Sequence, residues 1–560
     1  KEMYIDLTQL DELIYIYQEV MKTKRMIATM MCISMMAGCG STSTSSQVSS
    51  AADKTVNIAI MNDLLTMDQT IATDEASFSM ISLCQSGLVQ YGEDKQVHPD
   101  LAESWDVSDD GLTYTFHLRD GIQWSNGESI TAADFVYAFQ RLVDPDTASE
   151  YSYLMSSLNV VNAQDVIDGN QGVDALGVEA ADDSTFVVHL TVPCSFFISA
   201  MTGPQFYPLN QKYVEEQGDQ YALSVDNMIY SGIYTMTDWS SGNHYTFTHN
   251  DKYWDADNYP QESINVELVQ ETQTATMMYE SGSLDFMTLT GEMVDQYKDT
   301  EGYQTTLTSG IWYLDPNMDD PYMSNDNLRQ AIGYAIDRKT LCDDVLKTGA
   351  VEADGLIAKD LVFDTNGNDF RDVAEDYSTY DPEKAEAYYK KAVEELGEDA
   401  TIDILYDDAA DSSKVAANLE QMITDACPGI TVTLSAKPKK TRISKMMEHD
   451  FSIGLTRWVP DYADAQSYLD TFTEGTSMNF GNYASEAFNT VMTNGTSGKD
   501  AADADKRFED MVEAEKILIG EDHAMIPLYQ EGGAVLINPN VTGYIPLVLG
   551  TGAWRHMHKA

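Results

Sequence analysis

Positive charge is what this chain has least of. Its 560 residues carry 33 Lys and Arg against 91 Asp and Glu, a formal net charge of −58. A surface so negative repels polyphosphate, so no nucleic-acid partner is expected. Anionic lipid headgroups are disfavoured too, unless a covalent anchor holds the protein to them. The ordinary meaning of such a charge is solubility. Cysteine is sparse as well. Cys32, Cys39, Cys84, Cys194, Cys342 and Cys427 form no CxxC pair, and none has a His at zinc-ligand spacing. No metal site and no cofactor are therefore expected. His556 and His558, two apart near the C-terminal end, read as a surface pair. Nucleophile-elbow, HExxH and P-loop motifs are missing. With 91 acids, a glycosidase-like carboxylate pair picked from the sequence means nothing, so the chain reads as a non-enzyme.

What is present is enough for a large core. The chain is 43% hydrophobic with 32 Tyr, which argues against disorder and fits about two to four domains. "MKTKRMIATMMCISMMAGCG", from Met21 to Gly40, has the basic start and short apolar run of an export leader. The run is shorter than the ~20 residues a spanning helix needs, and no later segment is apolar enough. Cys39 directly after Ala-Gly is similar to a bacterial lipobox, in which the leader is cut and Cys39 carries lipid. The other reading is an ordinary leader with Cys39 incidental. The Ser-rich stretch "GSTSTSSQVSSAADK" after it suits a tether. Residues 1–20 show no leader features, and Met21 is read as the start of translation.

From Lys54 onward, strand and helix patterns mix without a repeat. "TVNIAIM" (55–61), "STFVVHLTVP" (184–193) and "HYTFTHNDKYW" (244–254) read as strands, and "LTYTFHLRDGIQWSNG" (112–127) as a hairpin. Thr131 with Asp134 three residues later opens a helix in a capping-box pattern. Further helices are expected over 325–347, 381–397 and 413–426, each entered through Asn, Asp or Ser. The fold class is α/β in more than one lobe.

Several blocks together resemble one family, the extracellular solute-binding proteins of oligopeptide and dipeptide ABC importers. They are "PDLAESWDVSDDGLTYTFHLRDGIQWSNGESITAADFVYAFQRLVDP" (99–145), "SGIYTMTDWSSGNHYTFTHNDKYWD" (231–255), "NLRQAIGYAIDRKTL" (327–341), "RWVPDYADAQSYLDTF" and "AMIPLYQ" (524–530). The resemblance runs in order over nearly all of 54–560. It implies two lobes joined by a hinge, a class II periplasmic-binding-protein-like fold, with an additional domain. The first lobe would use 53–86, 211–310 and 529–560, the extra domain 87–210 and the second lobe 311–528. It implies a monomer outside the cytoplasm that binds short peptides and passes them to a permease driven by an ATPase. Two alternatives stay open: the same fold with another solute (a nickel chelate, haem, a sugar oligomer or a signalling peptide), or a sensing or adhesion lipoprotein without transport.

In oligopeptide-binding members, the Asp of the "W-x-x-DY" motif pairs with the peptide's α-ammonium, which implies that role for Asp461. The chemistry is sensible on its own terms. A receptor for many sequences should grip the constant ammonium, carboxylate and backbone groups, and leave room for side chains. Trp458 and Tyr462 would restrict solvent around Asp461. Thr73 and Asp74, in the loop "TMDQTIATDEASF" (66–78), would offer main chain to an extended peptide. Tyr151 and Tyr153 read equally as lining or as core, and Asp464 as a turn or cap residue. The family's usual carboxylate anchor does not carry over, since Leu455 stands where some members have Arg. Arg457 and the basic run "KPKKTRISK" with Lys439 and Lys440 are the candidates for that anchor, the run's alternative being a solvated helix start.

Overall fold

The computed structural model describes residues 54–550 and 552–560. The leader, Cys32, Cys39, the Ser-rich tether and residues 1–20 lie outside them. The described chain is built on one large mixed sheet of 11 strands. From edge to edge its main path runs Thr431–Lys437, Thr401–Asp407, Ile453–Trp458, Tyr303–Pro316, Ile526–Ile537, Phe286–Leu289, Thr55–Ile60, Ser263–Leu268, His244–His249 and Tyr234–Ser240. The short strand Val351–Glu352 pairs beside Ile526–Ile537.

Two strands are much longer than the rest, and they make the fold two-lobed. Tyr303–Pro316 and Ile526–Ile537 run antiparallel to each other, but not in one register. Tyr303 to Leu307 pair with Leu536 to Gly532; the pairing then slips and resumes at Ile311 opposite Gln530. Such a slip bends and twists the pair locally. On one side of the break, the strands join Phe286–Leu289 and Thr55–Ile60, over a core around Val56, Ile58, Phe247 and Val266. On the other they join Ile453–Trp458 and Thr401–Asp407, over a core around Leu314, Ile332, Ile404 and Val415. Gly532 belongs here because another backbone passes close: a Cβ on it would sit 2.3 Å from the Gly349 carbonyl carbon.

The second lobe shows how local sequence builds its layer. Thr401–Asp407 and Thr431–Lys437 are parallel, so a crossover must join them, and helix Ala410–Ala426 supplies it. That helix begins earlier than expected, after Ala409 rather than at a Ser. Helix Pro382–Leu396 starts at Asp381 and ends at Gly397, whose φ of 82° is the left-handed conformation that closes helices.

A separate four-stranded antiparallel sheet orders Ala102–Val107, Thr113–Leu118, Thr185–His189 and Val178–Asp182. Helix Ala132–Val143 covers it, entered through the expected capping box, with the Thr131 N–H donating to Asp134 Oδ2 at 2.7 Å. Phe135 and Phe139 pack on Phe186, with ring centroids 5.6 and 5.1 Å away.

Two expectations fail. Thr113–Leu118 forms no hairpin with the residues that follow; its partners are Ala102–Val107 and Thr185–His189. The segment after it turns at Gly121 and buries Ile122 and Trp124 in the core instead. The helix expected over 325–347 is broken. Asp326–Ala335 ends where the buried Arg338 guanidinium takes up backbone carbonyls, among them Ile336 O at 3.1 Å and Pro527 O at 2.7 Å. Asp337 then starts a new turn by accepting from the Thr340 N–H at 3.1 Å.

The C-terminal segment is tied back to the entry of the four-stranded sheet. Asp100, fully buried, receives Arg555 Nη2 at 2.8 Å, Tyr253 Oη at 2.7 Å and Trp254 Nε1 at 3.0 Å. Arg555→Met strands that carboxylate without its counter-charge. The expected cost is about 3–5 kcal/mol, read as a lower guanidinium midpoint of the first unfolding transition.

Candidate functional site

Between the lobes and the four-stranded domain lies a cleft of about 600 Å³. It is lined by Thr73, Tyr151, Arg457, Pro460, Asp461 and Tyr462, and by Glu75, Phe78 and Glu531. Residues far apart in sequence thus meet here.

Strand Ile453–Trp458 delivers the first of them. Side chains alternate along a strand, so Arg457 and Trp458 face opposite ways. Arg457 enters the cleft. Trp458 packs on the apolar cluster around Tyr313, Leu469 and Phe472, and is absent from the lining. The expectation that Trp458 lines the site is corrected on this ground. The chain turns through Val459 and Pro460, and the Asp461 N–H donates to Ser467 Oγ at 2.9 Å, which fixes the backbone behind the carboxylate.

Asp461 is exposed to the cleft, and the neighbouring protein takes part of its water. This partial loss of water raises its pKa above the ordinary carboxylate value, and a hydrogen bond from Tyr153 opposes the rise. Among the described residues no cation pairs with it. Tyr153 stacks on Tyr151 at 6.2 Å, and Tyr151 meets Phe78 edge-on at 5.7 Å. Tyr151 lines the cleft; Tyr153, expected there too, is not among the lining residues but hydrogen-bonds Asp461. The Tyr153 phenol is pushed up by burial and by the facing Asp461 charge.

Tyr462 is a bridge. Its ring lies parallel to Phe196 at 4.1 Å with 2° between planes, so it joins the second lobe to the core of the four-stranded domain. Asp464 does accept from the Gln466 N–H at 2.8 Å as a turn residue. It also holds Arg507 in a buried two-pronged pair at 2.7 and 2.8 Å, which the sequence did not suggest.

The carboxylate-anchor candidates fare differently. Lys439 and Lys440 are exposed on the first turn of helix Lys439–Met447, outside the cleft lining, which is the solvated helix start named as their alternative. Arg442, in the same run, is buried against Asp407 at 3.1 Å. Arg457 is in the cleft, but its Nη1 is already held by Glu531 at 2.7 and 2.8 Å. Glu531 sits at the register break of the long strands, where Gly310 makes room: a Cβ there would be 2.9 Å from Glu531 Oε2. Glu531 was missed in the sequence although it follows the "AMIPLYQ" block directly. Thr73 lines the cleft in a coil. Asp74 caps helix Glu75–Cys84, accepting from the Ser77 N–H at 2.8 Å, and is not among the lining residues. Among the described residues no group of three or more His, Cys, Asp or Glu is placed to hold a metal.

The arrangement presents one carboxylate with no cationic partner among the described residues, Asp461, beside tyrosine rings on an open cleft. Known proteins share the scaffold. The dipeptide-binding protein of Lactococcus lactis subsp. cremoris is 31% identical over 507 residues, 88% of this chain and 91% of that one. The structure of Listeria monocytogenes OppA bound to peptide is 30% identical, with a TM-score of 0.70 over 91% of this chain and all of that one. The unliganded open form of the murein tripeptide-binding protein MppA is 25% identical and overlays with a TM-score of 0.79, over 91% of this chain and 98% of that one. The profile of the bacterial extracellular solute-binding proteins, family 5 (middle), matches residues 96–480, more than half of the sequence. The chain belongs to the bacterial extracellular solute-binding proteins of family 5.

Proposed function

We propose that this protein is a peptide receptor of an ABC importer, in which Asp461 binds the α-ammonium of a short peptide. The observation that carries the reading is a carboxylate without a counter-ion, facing an open cleft and held by Tyr153. Asp461 is exposed to the open cleft, so a cation arriving there meets a fixed partner whose attraction solvent screens. Closing the cleft over the peptide would strengthen it. Peptides are the ligands of the similar proteins named above. The closer overlay on an unliganded open form supports a cleft that narrows when ligand enters.

In this reading the first lobe takes 53–86, 211–310 and 529–560, the extra domain 87–210 and the second lobe 311–528, hinged where the long strands slip register. Lipid on Cys39 would hold a monomeric receptor at the outer face of the cell membrane, where a permease collects the loaded form. Among the described residues no helix is long and apolar enough to cross a membrane.

The test is the material that co-purifies. Gentle denaturation of the wild-type protein should release a series of short peptides, identified by mass spectrometry, and Asp461→Asn should release far less. Peptides recovered equally from both would remove the role of Asp461; a sugar or a metal chelate would remove peptides as the ligand.

The pH dependence carries a definite sign. Ammonium binding requires the ionised Asp461, and the empty site has its pKa above the ordinary ~3.9. Peptide affinity is therefore full above that raised pKa and falls roughly tenfold per pH unit below it. Tyr153→Phe removes the hydrogen bond that favours ionisation, so the fall begins at a higher pH. Titration calorimetry from pH 7 downward reads both curves.

A further inference from the structure

The cleft holds more negative charge than its own cations balance. Of its charged lining residues, Arg457 and Glu531 satisfy each other, which leaves Glu75 and Asp461. A second chamber of about 310 Å³ shares Tyr91, Ser199 and Ala463 with the first. There Arg507 is committed to Asp464, while Asp364 accepts hydrogen bonds from its own turn. Among the described lining residues of both chambers, Lys95 is the one cation without a carboxylate partner, against Glu75, Asp360, Asp364 and Asp461.

Placement adds to the count. Glu75 and Phe78, three residues apart on helix Glu75–Cys84, share a helix face. Phe78 touches Tyr151, Tyr151 stacks on Tyr153, and Tyr153 bonds Asp461. An unpaired carboxylate thus stands at each end of one run of aromatic rings. Ring faces attract cations within about 6 Å, more so where water is reduced. The apolar stem of a Lys or Arg side chain also suits such a surface.

Resting on the peptide-binding reading, we propose that the cleft selects peptides with two positive charges: the α-ammonium at Asp461, and a Lys or Arg side chain within the first three residues laid over Phe78 and Tyr151 toward Glu75. A neutral peptide leaves Glu75 unmet. An acidic one sets a further carboxylate among those already unpaired.

The experiment is calorimetric titration of the full chain, stripped of bound ligand, with Ala-Lys-Ala-Ala, Ala-Ala-Ala-Ala and Ala-Glu-Ala-Ala at low and high salt. The expected order is Lys tighter than Ala by about tenfold, and Ala tighter than Glu, at low ionic strength. The gaps shrink as salt screens the charges. Glu75→Gln should cut the Lys-to-Ala ratio to about threefold or less, and Glu75→Lys should bring it below one. Equal binding of the Lys and Ala peptides by the wild type, or a ratio unchanged in Glu75→Gln, would overturn the selection while leaving peptide binding intact. Failure of all three peptides to bind would remove the peptide-binding reading, and this inference with it.

Discussion

One strand pairing underlies everything else: Tyr303–Pro316 against Ile526–Ile537. Each strand is hydrogen-bonded into both halves of the large sheet, so each lobe borrows its central strands from the same pair. The register slips between Leu307 and Ile311, so the pairing is interrupted between the two halves while it holds within each. The cleft lies beside that slip, lined by Thr308 and Ser309 from one strand and Glu531 from the other. A side chain at this point stands on both the cleft and the junction of the two halves.

The charges at the site divide into those that are settled and those that are not. Arg507–Asp464 and Arg442–Asp407 are buried pairs that hold the second lobe in shape. Such pairs contribute little net stability, but either partner is costly to lose. Arg457–Glu531 is about a third exposed, so solvent weakens it, and it stands beside the register slip of the long strands. Asp461 is different. It faces the cleft with a phenol, Tyr153, as its hydrogen-bond partner and no cation among the described residues. A binding site is where a protein can afford such an imbalance.

Much of this was legible in the sequence wherever the signal was local. The Thr131 capping box, the Asp381 to Gly397 helix and the strand at 55–60 follow from spacing within a few residues. Asp461 was marked by the W-x-x-DY motif that the chain shares with the family, with Tyr462 beside it, while Tyr151 read equally as lining or as core. What the sequence hid were contacts set by the far side of the fold. Nothing near Tyr153 says that its hydroxyl will meet a carboxylate some three hundred residues later. Arg457 looked free because Glu531, which occupies it, arrives on another strand. The helix over 325–347 broke because Arg338 turned inward to carbonyls that include one from residue 527. Local periodicity cannot carry pairings of that range.

The shared strand pair also bears on how such a chain can be made. Ile526–Ile537 sits in the middle of the sheet, flanked by Tyr303–Pro316 and Phe286–Leu289, yet it comes more than two hundred residues after either. A polypeptide emerging N-terminus first cannot join the two halves of the sheet until this late strand is out. The four-stranded unit, whose strands all fall between residues 102 and 189, is under no such delay. For most of the chain's synthesis the two halves therefore remain unjoined. A chain that must cross a membrane before its fold is complete gains that delay from the order of its strands.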